Sequence, residues 1–320
     1  MSAIIPFAWP ESAPPIVICG PTAAGKTDAA LALAERIGGE IINADSMQVY
    51  VGMDIGTAKP SAIEQARVPF HLLDIATPDA QLTVAEWKNR AETAIADITA
   101  RGKQVILCGG TGMYLRALLD NWSLAETPAD PAIRAELQQE LEADGLAVLR
   151  ERLSEIDAES AARLHPNDAQ RILRALEVYR ATGRTLSDWQ AEDRRAHSRR
   201  AAHLFGLDLP RPALYERIER RVDSMIAAGL LAEVQFLLEK GYNKTHGPMR
   251  SLGYKEIIEH LEGATNLIEA VALIKQNTRR YAKRQQTWFR AEPGLNWLDV
   301  SALTSAQIAE EVFRCSGVGC

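Results

Sequence analysis

Ile16-Val17-Ile18-Cys19-Gly20-Pro21-Thr22-Ala23-Ala24-Gly25-Lys26-Thr27 is the stretch on which the reading of this chain turns. Its first four residues form an apolar run that reads as a strand, and the alanines and leucines from Asp28 to Ile37 read as a helix. The G-x-x-x-x-G-K-T spacing of residues 20–27 therefore sits between a strand and a helix, the context a phosphate loop requires. Backbone N–H groups in a loop with glycines at both ends curl around phosphate oxygens, and a helix starting at Lys26 adds unpaired N–H groups and its positive dipole end. Gly20, Pro21, Thr22, Ala23, Ala24, Gly25, Lys26 and Thr27 are the expected diphosphate- or nucleotide-binding residues, with Lys26 on a terminal phosphate. Thr27 offers a hydroxyl to Mg2+, an ion that usually keeps several waters and borrows ligands from substrate phosphates. The loop alone does not say which phosphorylated compound it holds.

Composition bounds the rest. With 320 residues, 47% of them hydrophobic, the chain has material for one large α/β domain or two smaller ones. A net charge of -6 argues against wholesale coating of nucleic acid, so the placement of charge decides that question. Cys19, Cys108, Cys315 and Cys320 show no metal-ligand spacing and read as small buried hydrophobes in a reducing compartment. No apolar run approaches the roughly 20 residues of a membrane span. The first fifteen residues carry prolines at 6, 10, 14 and 15 without a basic n-region, which reads as a frayed start to a cytoplasmic protein and not as a signal peptide.

Beyond the first helix, Gly38-Gly39 is a stop signal and Glu40-Ile41-Ile42-Asn43 reads as a short buried strand. The residues that follow, Ala44-Asp45-Ser46-Met47-Gln48-Val49-Tyr50 and then Gly52 to Pro60, emerge at a strand's carboxyl end, where open α/β sheets place ligands. Asp45 in that position fits a magnesium ligand, a general base or a helix N-cap. Leu82 to Ala100 has Trp87, Ala91, Ala94, Ile95 and Ile98 about one turn apart and reads as a helix, and Gln104 to Cys108 as the next strand. That strand runs into Gly109-Gly110-Thr111-Gly112, which brings Thr111 toward Asp45 and the phosphate loop if the strands are neighbours.

These segments together resemble the tRNA dimethylallyltransferase (tRNA isopentenyltransferase) family. The likeness rests on GPTAAGKT at 20–27, ADSMQVY at 44–50, GMDIGTAKP at 52–60, HLLD at 71–74, GGTGMY at 109–114, HPND at 165–168 with QRILRALE at 170–177, and TRRYAKRQ at 278–285, and so covers most of the chain. It implies a P-loop NTPase-like α/β core, with a parallel sheet flanked by helices, and an inserted all-helical domain. It also implies contact with tRNA by Asp45, Ser46, Met47, Gln48, Thr111, Arg134, Gln170, Arg171, Ile172, Leu173 and Arg174, and an arginine on the diphosphate, best matched by Arg221 and next by Arg217.

Residue patterns bear on the same segments independently. From Thr127 the chain turns to Ala, Glu and Leu at helical spacing, with no strand signal until about His203. The expected divisions are 14–126 for the first part of the core, 127–202 for a helical tRNA-binding insertion and 203–320 for a mostly helical return. Arg171 and Arg174 lie three apart on a helix capped by Asn167 or Asp168, and spacing alone favours a solvated face paired to Glu177. Arg194, Arg195, Arg199 and Arg200 form a further basic patch. Leu204 to Leu209 reads as a strand, Leu267 to Arg290 as a long helix, and Asn296 to Leu298 and Ser305 to Arg314 as a last strand and helix. On the long helix Arg279, Lys283, Gln286 and Arg290 recur at three- or four-residue steps, with Ile274, Tyr281 and Trp288 nearer the other side, a plausible contact for phosphate backbone.

A phosphate loop beside a carboxylate suits alkyl transfer from an allylic diphosphate. The resemblance supplies dimethylallyl diphosphate as donor and, as acceptor, the N6 amine of the adenine 3′ to the anticodon in tRNAs reading U-initial codons. Asp45, Thr111 and Arg221 are then the catalytic candidates, Mg2+ the expected cofactor, the tRNA anticodon stem-loop the partner, and a monomer the expected state. An adenylate isopentenyltransferase is the nearer alternative, but a mononucleotide needs neither the helical insertion nor the long basic helix. The other is a P-loop kinase or ATP-dependent RNA-binding protein, weakened because only Leu72-Leu73-Asp74 approaches a strand ending in a metal-binding aspartate.

Overall fold

Runs of Ile, Val and Leu supply the strands, and their burial on both faces makes the sheet parallel. The computed structural model describes residues 7–124, 130–196 and 198–317. β1 (Ile16–Cys19), β2 (Glu40–Asn43), β3 (Phe70–His71), β4 (Val105–Gly109), β5 (His203–Asp208) and β6 (Asn296–Asp299) pair in the order β3-β2-β4-β1-β5-β6, every pairing parallel. β1, β2 and β4 are buried along their whole length. β4 thus lies between β2 and β1, with Ile18 opposite Cys108 and Asn43 also opposite Cys108. The three loops that carry Asp45, Thr111 and Lys26 leave adjacent strands at one edge of the sheet, as the sequence required for them to meet.

α1 (Lys26–Ile37) starts behind Gly25 and ends at Gly38, whose N–H bonds back to the carbonyl of Ala34. Its apolar side joins one core cluster with Ile16, Ile18, Phe205 and, from the last helix, Ile308 and Val312. α2 (Ala62–Arg67) and β3 are additions to the sequence reading. The helix has six residues and is started by a reciprocal cap between Ser61 and Glu64, and β3 has only two residues, too few for periodicity to reveal. α3 (Val84–Ala100) begins at a Thr83–Glu86 cap, and its buried Trp87 donates Nε1–H to the carbonyl of Asn43 at 3.1 Å, fastening the end of β2. α4 (Gly112–Leu119) follows the glycine turn.

Packing divides the chain into two compact units, one running to Leu118 and resuming at Ala201, the other Leu119–Arg200. The second begins earlier than residue 127; the expected boundary itself falls within 125–129, outside the described residues. It is all helix: α5 (Pro131–Asp144), α6 (Leu146–Ile156), α7 (Ala158–Arg163), α8 (Ala169–Thr182) and α9 (Leu186–Ala196). Leu137, Leu149, Leu153, Ile172, Leu173 and Leu176 form its core.

The chain returns through β5 to α10 (Arg211–Ala227), α11 (Leu230–Glu239), α12 (Tyr254–Leu261), α13 (Leu267–Arg290), β6 and α14 (Ser305–Ser316). On α13 the buried stripe is Ala270, Ile274, Thr278, Ala282, Gln285 and Phe289, so the buried face is set by four- and three-residue steps that include polar residues, and Tyr281 and Trp288 are only partly buried. The frayed start is corrected from Trp9 onward, where the indole Nε1 donates to the carbonyl of Ala201 at 2.8 Å. Residues 1–6 lie outside the described residues. Cys19 and Cys108 are buried as expected, whereas Cys315 is exposed on the outer side of α14, and Cys320 is outside the described residues. Among the described residues no helix is long and apolar enough to cross a membrane.

Candidate active site

The phosphate loop is shaped by what surrounds it. Gly20 has φ 134°, and a Cβ there would meet the carbonyl oxygen of Leu207 at 2.7 Å, so the turn out of β1 needs a residue with no side chain. Ala23 takes a left-handed φ of 65°, a conformation that costs an alanine free energy and persists because the loop is held from both sides. Thr22 N–H donates to Gln285 Oε1 at 2.8 Å on one flank, and Ala24 is buried in the core on the other. Of the eight loop residues, Thr22, Ala23, Gly25, Lys26 and Thr27 line a cavity of about 570 Å³, while Gly20, Pro21 and Ala24 build the loop behind it.

Four cationic residues line this cavity, Lys26, Lys59, Arg221 and Arg284, and Lys59 is already paired with Asp54 and Asp74. Lys26 Nζ donates to the loop's own Pro21 carbonyl at 2.8 Å, and burial depresses its pKa against the raising influence of Cys108 and Asp45. Arg221, on α10, also lines the cavity; its Nη2 donates to the carbonyl of Thr57 at 3.3 Å, and burial lowers its pKa against Asp45 and Asp28. Arg217, one turn earlier, sits outside the wall, its Nη1 4.0 Å from where a Cβ on Gly25 would lie. Of the two, Arg221 is the one that lines the cavity. Burying cations with one neutral partner each is unfavourable, and an anion between them recovers the lost solvation. Cys108 lines the same cavity, but burial pushes its thiol up to about 12, which leaves it inert as a nucleophile near neutral pH.

Asp45 stands on the neighbouring loop, in the cavity wall with Ser46, Met47 and Gln48. It is not a helix N-cap: Oδ1 accepts the N–H of Met47 at 2.9 Å within a local turn, and Oδ2 has no hydrogen-bond partner among the described residues. Its own N–H donates to Asn43 Oδ1 at 3.0 Å, and Asn43 Nδ2 donates to the carbonyls of Asp45 and Leu72, each at 3.1 Å. Thr111 is near, as the strand order dictates, yet it does not line the cavity. Its Oγ1 accepts the N–H of Ser46 at 2.9 Å and donates to Ser46 Oγ at 3.2 Å, so it holds the turn that carries Asp45. The two loops run so close that a Cβ on Gly109 would lie 2.1 Å from the carbonyl oxygen of Ala44.

The segment 52–60 closes another side. Glu233 accepts the N–H groups of Asp54, Ile55 and Gly56 at 2.7 to 3.1 Å and the hydroxyl of Tyr254 at 2.6 Å. Thus fixed, the segment offers Thr57 and Ala58 carbonyls to Gln48 Nε2 at 3.2 and 3.1 Å. Glu233 and Tyr254 escaped sequence reasoning because nothing in their own neighbourhoods marks a partner about 180 residues away. Gln285 was also missed as a site residue; its signal was a polar side chain on the buried stripe of α13.

In the helical unit the expected RNA contacts divide. Ile172 and Leu173, expected among the tRNA contacts, have their side chains fully buried in the unit's core. Arg134 donates to Gln170 Oε1 at 2.7 Å and lies 3.5 Å from Glu177; Arg174 lies 3.3 Å from Glu177. Glu177 is buried and not part of a solvated face. Arg171, with its side chain 66% exposed, pairs with Asp168, which proves to be the N-cap of α8. In the basic patch beyond α8, Arg199 pairs with Asp120 at 2.8 Å; the side chain of Arg194 lies outside what is described. On α13, Arg279 is bound to Glu219 at 2.7 Å and Gln286 to Asp208 at 2.9 Å, while Lys283 and Arg290 are exposed.

A parallel α/β sheet with a phosphate loop and, in one cavity at its carboxyl edge, Lys26, Arg221 and Asp45 defines a protein of the phosphate-loop class. The family model described as IPP transferase matches residues 48–292. A tRNA dimethylallyltransferase of Geobacter metallireducens is 53% identical over 284 residues, covering 89% of this chain and 92% of that protein. Among solved structures, the full-length tRNA isopentenylpyrophosphate transferase of Bacillus halodurans is 39% identical with a TM-score of 0.69, covering 94% of this chain and 95% of that one. A eukaryotic dimethylallyltransferase acting on tRNA is 28% identical with a TM-score of 0.80, covering 95% and 78%. The chain belongs to the IPP transferase family.

Proposed function

We propose that this protein is a tRNA dimethylallyltransferase: it moves the dimethylallyl group of dimethylallyl diphosphate to the N6 amine of the adenine 3′ to the anticodon, in tRNAs reading U-initial codons. The observation that carries the reading is one cavity lined by Lys26 and Arg221 and by Asp45, whose Oδ2 has no hydrogen-bond partner among the described residues.

Such a cavity matches the charge changes of the reaction. As the C1–O bond of the donor breaks, its electron pair goes to the diphosphate, and Lys26, Arg221 and the N–H groups at the start of α1 neutralise the growing charge. The lone pair of the adenine amine forms the new N–C1 bond, and Asp45 takes the proton that the nitrogen loses. A positioned base of this kind is worth roughly 10²–10⁴-fold. Thr27 faces the cavity, and no cluster of three or more His, Cys, Asp or Glu suited to a metal occurs among the described residues. These residues fit a Mg2+ ion held mainly by substrate phosphates and water, with Thr27 as the protein ligand, and the ion would add positive charge at the leaving group. The adenine must leave its stack to reach the cavity, a cost of a few kcal/mol that is least in a single-stranded loop. Arg134, Gln170, Arg171 and Arg174 are the proposed tRNA contacts of the helical unit, each exchanging an internal partner for phosphate or base. The protein acts in the cytoplasm, as a monomer.

Purified protein incubated with radiolabelled dimethylallyl diphosphate, with total tRNA and AMP as competing acceptors, is expected to label tRNA and release diphosphate. Label on AMP, or turnover of ATP with no prenyl transfer, would replace this reading by one of the two alternatives.

A further inference from the structure

Gln285 sits in the C-terminal third of α13, within the core unit, and is only 5% exposed. Its carboxamide joins two loops that the sheet brings side by side: Oε1 accepts the N–H of Thr22 in the phosphate loop at 2.8 Å, and Nε2 donates to the carbonyl of Gly110 after β4 at 2.9 Å. Fit at the second loop is tight, since a Cβ on Gly110 would lie 2.3 Å from Nε2. The next residue, Thr111, holds the N–H of Ser46, whose neighbour is Asp45. An unbroken path therefore runs from the cradle of the leaving group, through Gln285 and Gly110-Thr111, to the proton acceptor.

The chemistry of the two ends selects the side chain. Thr22 offers only a donor and Gly110 only an acceptor, so the bridging group must accept at one atom and donate at another while staying neutral in a buried place. A carboxamide does this. A carboxylate satisfies Thr22 and repels the Gly110 carbonyl; an apolar side chain of the same length leaves both backbone groups orphaned. The Thr22 N–H is also spent on Gln285, so it is withdrawn from phosphate binding, and the loop residue is used to fix geometry.

We propose that Gln285 is a positioning residue for prenyl transfer: it locks the phosphate loop against the loop of Thr111 and so sets the span between the diphosphate and Asp45. The proposal rests on the transfer reaction above, and the wild-type protein in the radiolabel assay tests that reaction separately. Gln285→Met and Gln285→Glu are compared with wild type for kcat, donor KM and binding of inorganic diphosphate, well below each variant's melting temperature. For Gln285→Met, kcat is expected to fall by about 10²-fold, the scale of an ångström-sized misplacement. The affinity for diphosphate should change only about threefold, because the binding cations remain. In Gln285→Glu, burial raises the carboxyl pKa, and the protonated acid can again donate to Gly110, so activity relative to wild type should climb as pH falls. A merely structural glutamine would lower melting temperature without that pH-dependent recovery of kcat. A folded Gln285→Met with kcat within about twofold of wild type, or a Gln285→Glu profile parallel to wild type, overturns the proposal. Should Gln285→Met fail to fold, the Gln285→Glu profile decides.

Discussion

In the core, Lys26 and Arg221 are part-buried in a cavity wall with one backbone carbonyl each for a partner; in the helical unit, Arg134, Arg171 and Arg174 each already hold a carboxylate. The desolvation of the first pair is carried by the fold itself, so an arriving diphosphate gains nearly the whole interaction. The second group must release Glu177 or Asp168 before it can engage RNA, so each contact is worth less and is more sensitive to salt. The contrast separates chemistry from recognition.

The sharpest way to break it is at the cavity's carboxylate. Asp45→Asn is expected to lower kcat by about 10²–10⁴-fold while leaving diphosphate and tRNA affinities nearly intact, because only transition-state interactions are lost. Single-turnover transfer at the wild-type rate would remove Asp45 from the mechanism. Lys26→Met should cost on the order of 10²–10³-fold in transfer yet leave the melting temperature unchanged or raised, since an apolar chain replaces a part-buried cation. A marked loss of stability would mean that Lys26 holds the loop together through Pro21.

Acidity offers a subtler probe. Burial lowers the Lys26 pKa in the free protein, and a bound diphosphate raises it, so binding takes up a proton wherever the free lysine is neutral. Diphosphate affinity is therefore full at low pH and declines as pH rises through the free-state pKa, by up to about tenfold per pH unit. Calorimetry in buffers of different ionisation enthalpy reads this proton directly, and equal heats at alkaline pH would contradict it.

The helical unit should respond least. Arg171→Ala or Arg174→Ala is expected to weaken tRNA binding and reduce its salt slope by about one. Stability distinguishes them: Arg171→Ala should stay within about 0.5 kcal/mol of wild type, whereas Arg174→Ala costs about 1 kcal/mol because buried Glu177 loses a partner. Unchanged slopes for both would return these arginines to a purely structural role.

Much of the cavity was legible locally. The phosphate loop, the strand before it and the position of Asp45 after β2 follow from short apolar runs and glycine spacing, signals that lie within ten or so residues of the site. α13 was legible as a helix but not in its facing, because Thr278 and Gln285 occupy the buried stripe where periodicity looks for apolar residues. Ile172 and Leu173 were placed among RNA contacts by the resemblance of the whole segment 170–174, although a helix sends successive residues to different sides and their own side chains are core.

By itself the sequence determined the kinds of groups present: an anion cradle, a carboxylate one strand later, a glycine turn and a helical insertion with arginines. Which of them meet was decided by the tertiary structure. The insertion of β4 between β2 and β1 put three loops along one edge, the packing of α10 put Arg221 and not Arg217 in the cavity wall, and α13 delivered Gln285 between loops more than 170 residues away. Local signals extend over a helical turn or a strand, whereas these contacts are fixed by strand order and by burial of polar groups that only the folded chain brings together.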